Sequence, residues 1–314
     1  MTSATTAQLA TEAKSRREQD AVLATAIASL SARVYALEHP GVVTPPVDPP
    51  VTPPPTGQVV KSFNPSMGGP AELLVLAHDP KVDVIELTGT FPRWSIMFDV
   101  GRTALNPLLI RPASGAAVVF DGGGSSTPPF YVGWQSPTSY VTIDAAGGSI
   151  TISSYQIKQI GLVDAKYTDH VTFNGLTIRN CGGTVSAQTS HCLYIESDGT
   201  HRSKAFTANG WDVIGPSNRF LNGIQTYHSP NVDGLVAHGW KVSSLHRAAY
   251  LWADASGVDI DGWTITDCDA TIDAQEQAKG TVKNCRAKNS GSISSGLGYW
   301  KTSTLLDGGG NVIG

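Results

Sequence analysis

Between residues 118 and 287, apolar and polar positions alternate with a period of two, shift parity at a glycine, and then alternate again. The clearest copy is Val171 and Phe173, the pair Asn174-Gly175, then Leu176 and Ile178. The same template fits Phe206, Ala208, Asn209-Gly210, Trp211, Val213 and Val258, Ile260, Asp261-Gly262, Trp263, Ile265. Partial copies run through Val232, Asp233-Gly234, Leu235, Ala237 and through Val282, Asn284, Cys285, Ala287. Upstream, Val118, Phe120, Asp121-Gly122 and Val141, Ile143, Asp144 read as earlier copies. A period of two puts alternate side chains on opposite faces of a strand. The break at Asn/Asp-Gly predicts a corner, where glycine takes a positive φ and the inward set resumes beyond it. The expected corners, at 121, 144, 174, 209, 233, 261 and 283, recur at a mean interval of 27 residues. A repeat of that length cannot bury its own apolar face and has to stack on its neighbours. Residues 58–314 are therefore expected to form an all-β solenoid, a parallel β-helix of about nine or ten coils spaced ~4.8 Å apart.

Residues 1–39 follow a different period. Leu23, Ile27, Leu30, Val34 and Leu37 are spaced 4, 3, 4 and 3, a heptad seam with leucines at d and Ile27 and Val34 at a. So narrow a stripe cannot bury itself in one helix, so the segment is expected to form an α-helical coiled coil or to dock on another protein. The a and d residues nominally favour two strands. Arg33-Val34-Tyr35-Ala36-Leu37-Glu38 resembles the short Arg-h-x-x-h-Glu signature of trimeric coiled coils, in which the Arg33 stem would cover the seam and reach Glu38 of a neighbour. The trimer is favoured, with Leu23, Ile27, Leu30, Arg33, Val34, Leu37 and Glu38 as the trimerisation residues.

Residues 40–57 hold eight prolines, from Pro40 to Pro55. Proline lacks the amide donor and fixes φ, which excludes helix and sheet. The expected form is a polyproline II spacer of roughly 50 Å, with an SH3-type ligand as the alternative.

Composition narrows the function. Charged residues are 15% of the 314, and the net charge of −4 offers no basic face for nucleic acid. No apolar run approaches the ~18 residues of a membrane span. The first twenty residues are polar, with Glu12, Arg16, Arg17, Glu18 and Asp20, and read as no secretory signal, so synthesis in a host cytoplasm without a signal peptide is expected. Cys181, Cys192, Cys268 and Cys285 form no CxxC pair and read as small buried hydrophobes.

The segments Val84–Phe91, Leu108–Ala113 and Val119–Gly123 resemble the opening coils of the pectin-lyase-like right-handed parallel β-helix superfamily. The resemblance covers most of residues 70–290 and speaks to fold more than to activity. Coiled coil, proline spacer and β-helix together resemble phage tail fibres and minor tail proteins. That resemblance implies a virion location in the tail, a homotrimer, attachment to other tail proteins through the N-terminal helix, and a host-surface polysaccharide as partner.

In that superfamily sugars bind along an outer groove formed by one stacked strand. Aligning the third apolar run of each repeat leaves two outward columns here. One is Tyr194, Gln225, Leu251 and Asp273; the other is Glu196, Tyr227, Ala253 and Gln275. Tyr194, Glu196, Gln225, Tyr227, Asp273 and Gln275 are the candidate ligand-binding residues. Tyr250 and Trp252 align inward, as do Trp211 and Trp263. Glycoside hydrolysis needs two carboxyl groups about 5–9.5 Å apart. Glu196 and Asp273 stand three coils apart, roughly 14 Å. Neither column holds an Arg or Lys base, and no catalytic residue, metal ligand or cofactor is assigned. A depolymerase, either lyase or glycoside hydrolase, remains the alternative to glycan recognition, and a structural tail component the third reading. Adjacent-coil carboxylates on the outer groove would favour the enzyme.

Overall fold

The computed structural model describes residues 57–183, 190–197, 200–227, 232–252, 254–274, 278–291 and 304–314. The seven trimerisation residues, nearly all of the proline spacer, and Gln275 lie outside them. Among the described residues three parallel sheets dominate, of ten, nine and seven strands. The chain visits them in rotation. One coil is Thr168–Asn174 in the first sheet, Leu176–Arg179 in the second and Ser190–Glu196 in the third. The next is Ser203–Asn209, Asp212–Ile214 and Asn222–Tyr227. Each strand pairs in register with its equivalent one coil on: Asn174 faces Asn209, Ile178 faces Val213, Tyr194 faces Gln225. The architecture is that of a parallel β-helix-like solenoid.

The template residues point inward as the alternation requires. Val171, Phe173, Leu176 and Ile178 are buried, and so are Phe206, Ala208, Trp211, Val213, Val258, Ile260, Trp263 and Ile265. Phenylalanines stack through the interior, from Phe91 on Phe120 at 5.0 Å to Phe173 on Phe206 at 6.0 Å. Beyond them Trp211, Trp240 and Trp263 form a ladder of near-parallel rings at 4.5 and 4.8 Å. A buried indole needs a partner for its N–H. Each of the three donates to a carbonyl of the preceding coil, of Phe173, Ala208 and Ala237.

The corners work as predicted at Asn174-Gly175, Asn209-Gly210 and Asp261-Gly262, whose glycines have φ of +70, +66 and +68. Two expected corners are corrected. Asp233-Gly234 lies within one strand, Val232–His238, and the turn comes at His238-Gly239, φ +67. The Gly234 φ of +83 belongs to a kink inside that strand, which mimics the corner in sequence. Asp121-Gly122 ends a second-sheet strand, Ala117–Asp121, and so marks the other corner of its coil. Coil length consequently varies, from 35 residues between Asn174 and Asn209 to 22 between Asp261 and its register partner Lys283. The corner side chains bond from coil to coil. Asn174 donates to Asp144, Asn209 accepts from the His238 amide, and Asn284 donates to Asp261.

Two elements depart from the all-strand expectation, and the first is the single 3-10 turn Pro65–Met67. The second, Pro70–His78, is an α-helix, started by a proline in its first turn and by Glu72, which accepts from the Gly69 amide. Its Leu73 and Ala77 are buried, and Leu73 closes on Leu87, Ile96 and Phe98. Arg102 holds the helix end, its guanidinium donating to the carbonyls of Ala77, Asp79 and Val82. A run as short as Leu73-Leu74-Val75-Leu76 carries no decisive period. The four cysteines are buried and free. Burial raises the Cys181 thiol to about 12 and the Cys268 and Cys285 thiols to about 11, so they stay protonated fillers of the core.

Trp240→Ala removes the middle ring of the ladder together with its hydrogen bond, and should lower the unfolding free energy in urea by about 3–5 kcal/mol. Gly210→Ala meets no atom nearer than 3.9 Å. Its cost is that of the backbone alone, about 1–2 kcal/mol. A near-neutral W240A would show that the indoles do not hold the coils together.

Candidate functional site: a cleft on the third sheet

Outward residues of the third sheet form columns fixed by the strand register. One runs Tyr131, Asp164, Tyr194, Gln225, Tyr250, Asp273. Beside it, Glu196 faces Tyr227, and the Tyr227 ring lies 4.4 Å from Trp252. The sequence alignment slipped by one residue at this coil. Leu251 and Ala249 are buried, so Tyr250 and Trp252 face outward rather than inward. Aromatic side chains count as apolar in any alternation, and both parities of Ala249-Tyr250-Leu251-Trp252 satisfy it. Trp252 is anchored by its backbone, whose amide donates to Thr226 Oγ1 at 2.8 Å.

These side chains line a cleft of about 540 Å³. Tyr194, Gln225, Tyr227, Tyr250 and Trp252 make its floor and walls, with Gln159, His191 and Arg247 at its border. Of the six residues expected from sequence, Tyr194, Gln225 and Tyr227 line the cleft. Asp273 stands at its end, its Oδ2 3.7 Å from Arg247 Nε. Glu196 lies in the neighbouring column against Lys166, at 3.8 Å. Gln275 lies outside the described residues. Sequence reasoning missed Tyr250, Trp252, Arg247, His191, Gln159 and the buried Asp164. Arg247 opens the strand Arg247–Leu251, and its guanidinium sits 4.3 Å from the Tyr250 ring.

The chemistry of the cleft is that of stacking faces with a few fixed polar atoms. Tyr194 stacks on Tyr227 at 6.2 Å and on His191 at 4.8 Å. Gln225 is buried, and its Oε1 has no hydrogen-bond partner among the described residues. A buried acceptor left alone costs about 1–3 kcal/mol, which a ligand donor would recover. Burial, helped by Arg247, lowers His191 to about 3, so the ring is neutral. Asn222 Nδ2 lies 3.3 Å from His191 Nδ1, and with Nδ1 accepting, the proton sits on Nε2. Burial raises the Tyr194 hydroxyl, with Glu196 and Asp164 adding to the effect, so it remains a donor.

Asp164 is a strongly perturbed carboxyl. Burial lifts it to about 7, against the opposing hydrogen bonds from the Gly161 amide and the Trp134 indole, both at 3.1 Å. It sits one coil from Glu196, which raises it further, whereas Lys166 lowers it. Among the described residues no group of three or more His, Cys, Asp or Glu is placed to hold a metal ion.

The two buried titrations have opposite signs. Asp164 binds its proton more tightly folded than unfolded, so its contribution is complete at low pH and is lost as pH rises from about 4 to about 7. His191 binds its proton less tightly folded, so its contribution is complete above about 6.5 and is lost as pH falls toward about 3. Between pH 4 and 6.5 the slopes oppose. Asp164→Asn should therefore reveal stability that rises with pH across that window, by up to about 1.4 kcal/mol per unit, in urea titrations at several pH values. Identical pH profiles for wild type and variant would refute the buried titration. Comparison of the chain with protein-family models, curated proteins and solved structures yields no match.

Proposed function

We propose that this protein is a trimeric viral tail fibre or minor tail protein whose solenoid presents the third-sheet cleft to a host-surface polysaccharide. The observation that carries the reading is the cleft itself, with the half-buried rings of Tyr227, Tyr250 and Trp252 beside the buried Tyr194 and a Gln225 Oε1 that has no hydrogen-bond partner among the described residues. Sugar rings offer apolar faces that stack on aromatics and hydroxyl edges that satisfy such acceptors. The finer fold assignment, a right-handed coil of the pectin-lyase-like type, draws on the opening coils and on the ~98% preference for right-handed crossovers between parallel strands. The tail assignment draws on the heptad seam and proline spacer of residues 1–57. In this reading the helix trimerises the chain and joins it to other tail proteins. Three linked heads then gain avidity from effective concentration, so each cleft can bind weakly.

A specific observation favours a second reading, a depolymerase. Asp164 and Glu196 are carboxyl groups on adjacent coils of the groove, and Asp164 stands near 7, where a general acid works. Against it, Asp164 is fully buried and both its oxygens accept hydrogen bonds.

One experiment separates the readings: incubation of the full chain with a panel of bacterial surface polysaccharides, scoring retention and released sugar. Glycan recognition predicts retention without product, with Trp252→Ala weakening binding about tenfold or more through the loss of one stacking face. Product that disappears in both Asp164→Asn and Glu196→Gln would establish the enzyme. Neither retention nor product would leave a structural tail component. Deletion of residues 1–39 should yield a folded monomer with much weaker binding to whole cells. Undiminished cell binding by that monomer would remove the avidity argument.

A further inference from the structure

We infer that the second sheet carries a separate docking face for an anionic phosphodiester polymer, built from Lys241, Arg286 and Lys288 around a patch of hydroxyls. The face lies on a different sheet from the cleft and does not depend on what the cleft binds.

Three successive strands of the second sheet make it: Lys241–Ser243, Thr264–Thr266 and Arg286–Lys288. They pair in register, Lys241 with Thr264 with Arg286, and Ser243 with Thr266 with Lys288. The middle residues, Val242, Ile265 and Ala287, are buried in the core. The six flanking side chains therefore share the outer face, where Lys241, Thr264, Arg286 and Lys288 are exposed. All six can donate a hydrogen bond, and none is a carboxylate. With coils ~4.8 Å apart and the two columns roughly 7 Å apart, the cations stand at three corners of a grid about 10 Å by 7 Å. Threonine hydroxyls cross its middle.

Elsewhere the solenoid pairs its cations with its own carboxylates. Arg111, Arg179, Arg219 and Arg247 each meet one, as do Lys166 and Lys283. Among the described residues none of Lys241, Arg286 and Lys288 makes an ion pair. Asp212, one coil before Lys241, is held at 2.7 Å by Arg179. Asp267 stands at the corner beyond Thr266, with φ +52, rather than on the face. In a chain of net charge −4 the three cations are a local excess of positive charge.

The geometry selects among anions. A carboxylate accepts in one plane, whereas a tetrahedral phosphodiester accepts from several sides, as a grid of guanidinium, ammonium and hydroxyl groups requires. One phosphate is smaller than the grid, so a polymer with repeated charges is needed to reach all three cations. Nucleic acid fits poorly. No aromatic ring stands on these three strands to stack a base, and three cations are few for a duplex.

The test titrates the full chain by calorimetry with poly(glycerol phosphate), and in parallel with orthophosphate, polyglutamate and a thymidine oligonucleotide. Poly(glycerol phosphate) should bind about tenfold or more tightly than each of the others. Its log affinity should fall against log salt with a slope of about −2, as for three phosphate contacts to a single strand. The triple variant Lys241→Gln, Arg286→Gln, Lys288→Gln alters exposed side chains only. It should lose about tenfold or more in affinity and most of the salt slope, at an unchanged melting temperature. Lys204→Gln, an exposed lysine of the first sheet, and Trp252→Ala in the cleft should both bind as wild type does. Wild-type affinity in the triple variant would overturn the inference, as would no binding of poly(glycerol phosphate) by wild type. Equal affinity for polyglutamate or the oligonucleotide would overturn the choice of partner. Loss of binding in Trp252→Ala would move the polymer to the cleft and remove the separate face.

Discussion

The corner glycine sets the rest of the molecule. At Gly175, Gly210, Gly239 and Gly262 the chain turns with a positive φ, and the glycine amide donates to the carbonyl of the corner residue one coil on. The four acceptors are Asn209, His238, Asp261 and Lys283. Each bond fixes one coil over the next at the point where the strand register would otherwise be free to slide. A side chain at those positions would bring the steric cost of a left-handed backbone. Immediately past three of these corners stand Trp211, Trp240 and Trp263, whose indoles occupy the inside of the bend and bond back to the preceding coil. Backbone turn and core packing thus reinforce each other at the same place.

A stack locked in this way leaves its outside free to vary. On the third sheet every second residue is outside, and the parallel register lines those residues up coil by coil. The column from Tyr131 to Asp273 is assembled from residues up to 33 apart in sequence at each step, yet its members are neighbours in space. That arrangement brings aromatic faces together into a cleft. It also buries Asp164 and His191 beside them, where the loss of water shifts one up and the other down. The floor of the cleft is rigid because it is a sheet, and rigidity favours binding of a ligand without ordering cost.

The elements read from the chain differ in how well they survive in three dimensions, and the differences have causes. Val171 to Ile178, Phe206 to Val213 and Val258 to Ile265 face inward as expected, because their alternation and their Asn/Asp-Gly corners agree. Asp233-Gly234 misled because glycine also permits a kink within a strand, and the true corner carries His238, which has no turn preference of its own. Missing that corner hid Trp240 from the indole ladder. Tyr250 and Trp252 misled for another reason: large aromatic rings satisfy an apolar pattern whether they fill a core or line a groove. The helix Pro70–His78 escaped because its apolar run is short.

The linear chain alone determined that the described residues beyond 57 coil largely into stacked strands, since period-two burial and repeated glycine corners leave few other ways to hide so many apolar side chains. It also put Tyr194, Gln225 and Tyr227 in one set, opposite the inward Leu193, Ile195 and Ile224. Only the tertiary structure decided the parity of the Tyr250 coil, the approach of Arg247 to Asp273 and the burial of Asp164 against Trp134. Those depend on pairing between coils, and a shift of one residue in pairing exchanges the two faces of a strand while leaving its sequence pattern unchanged.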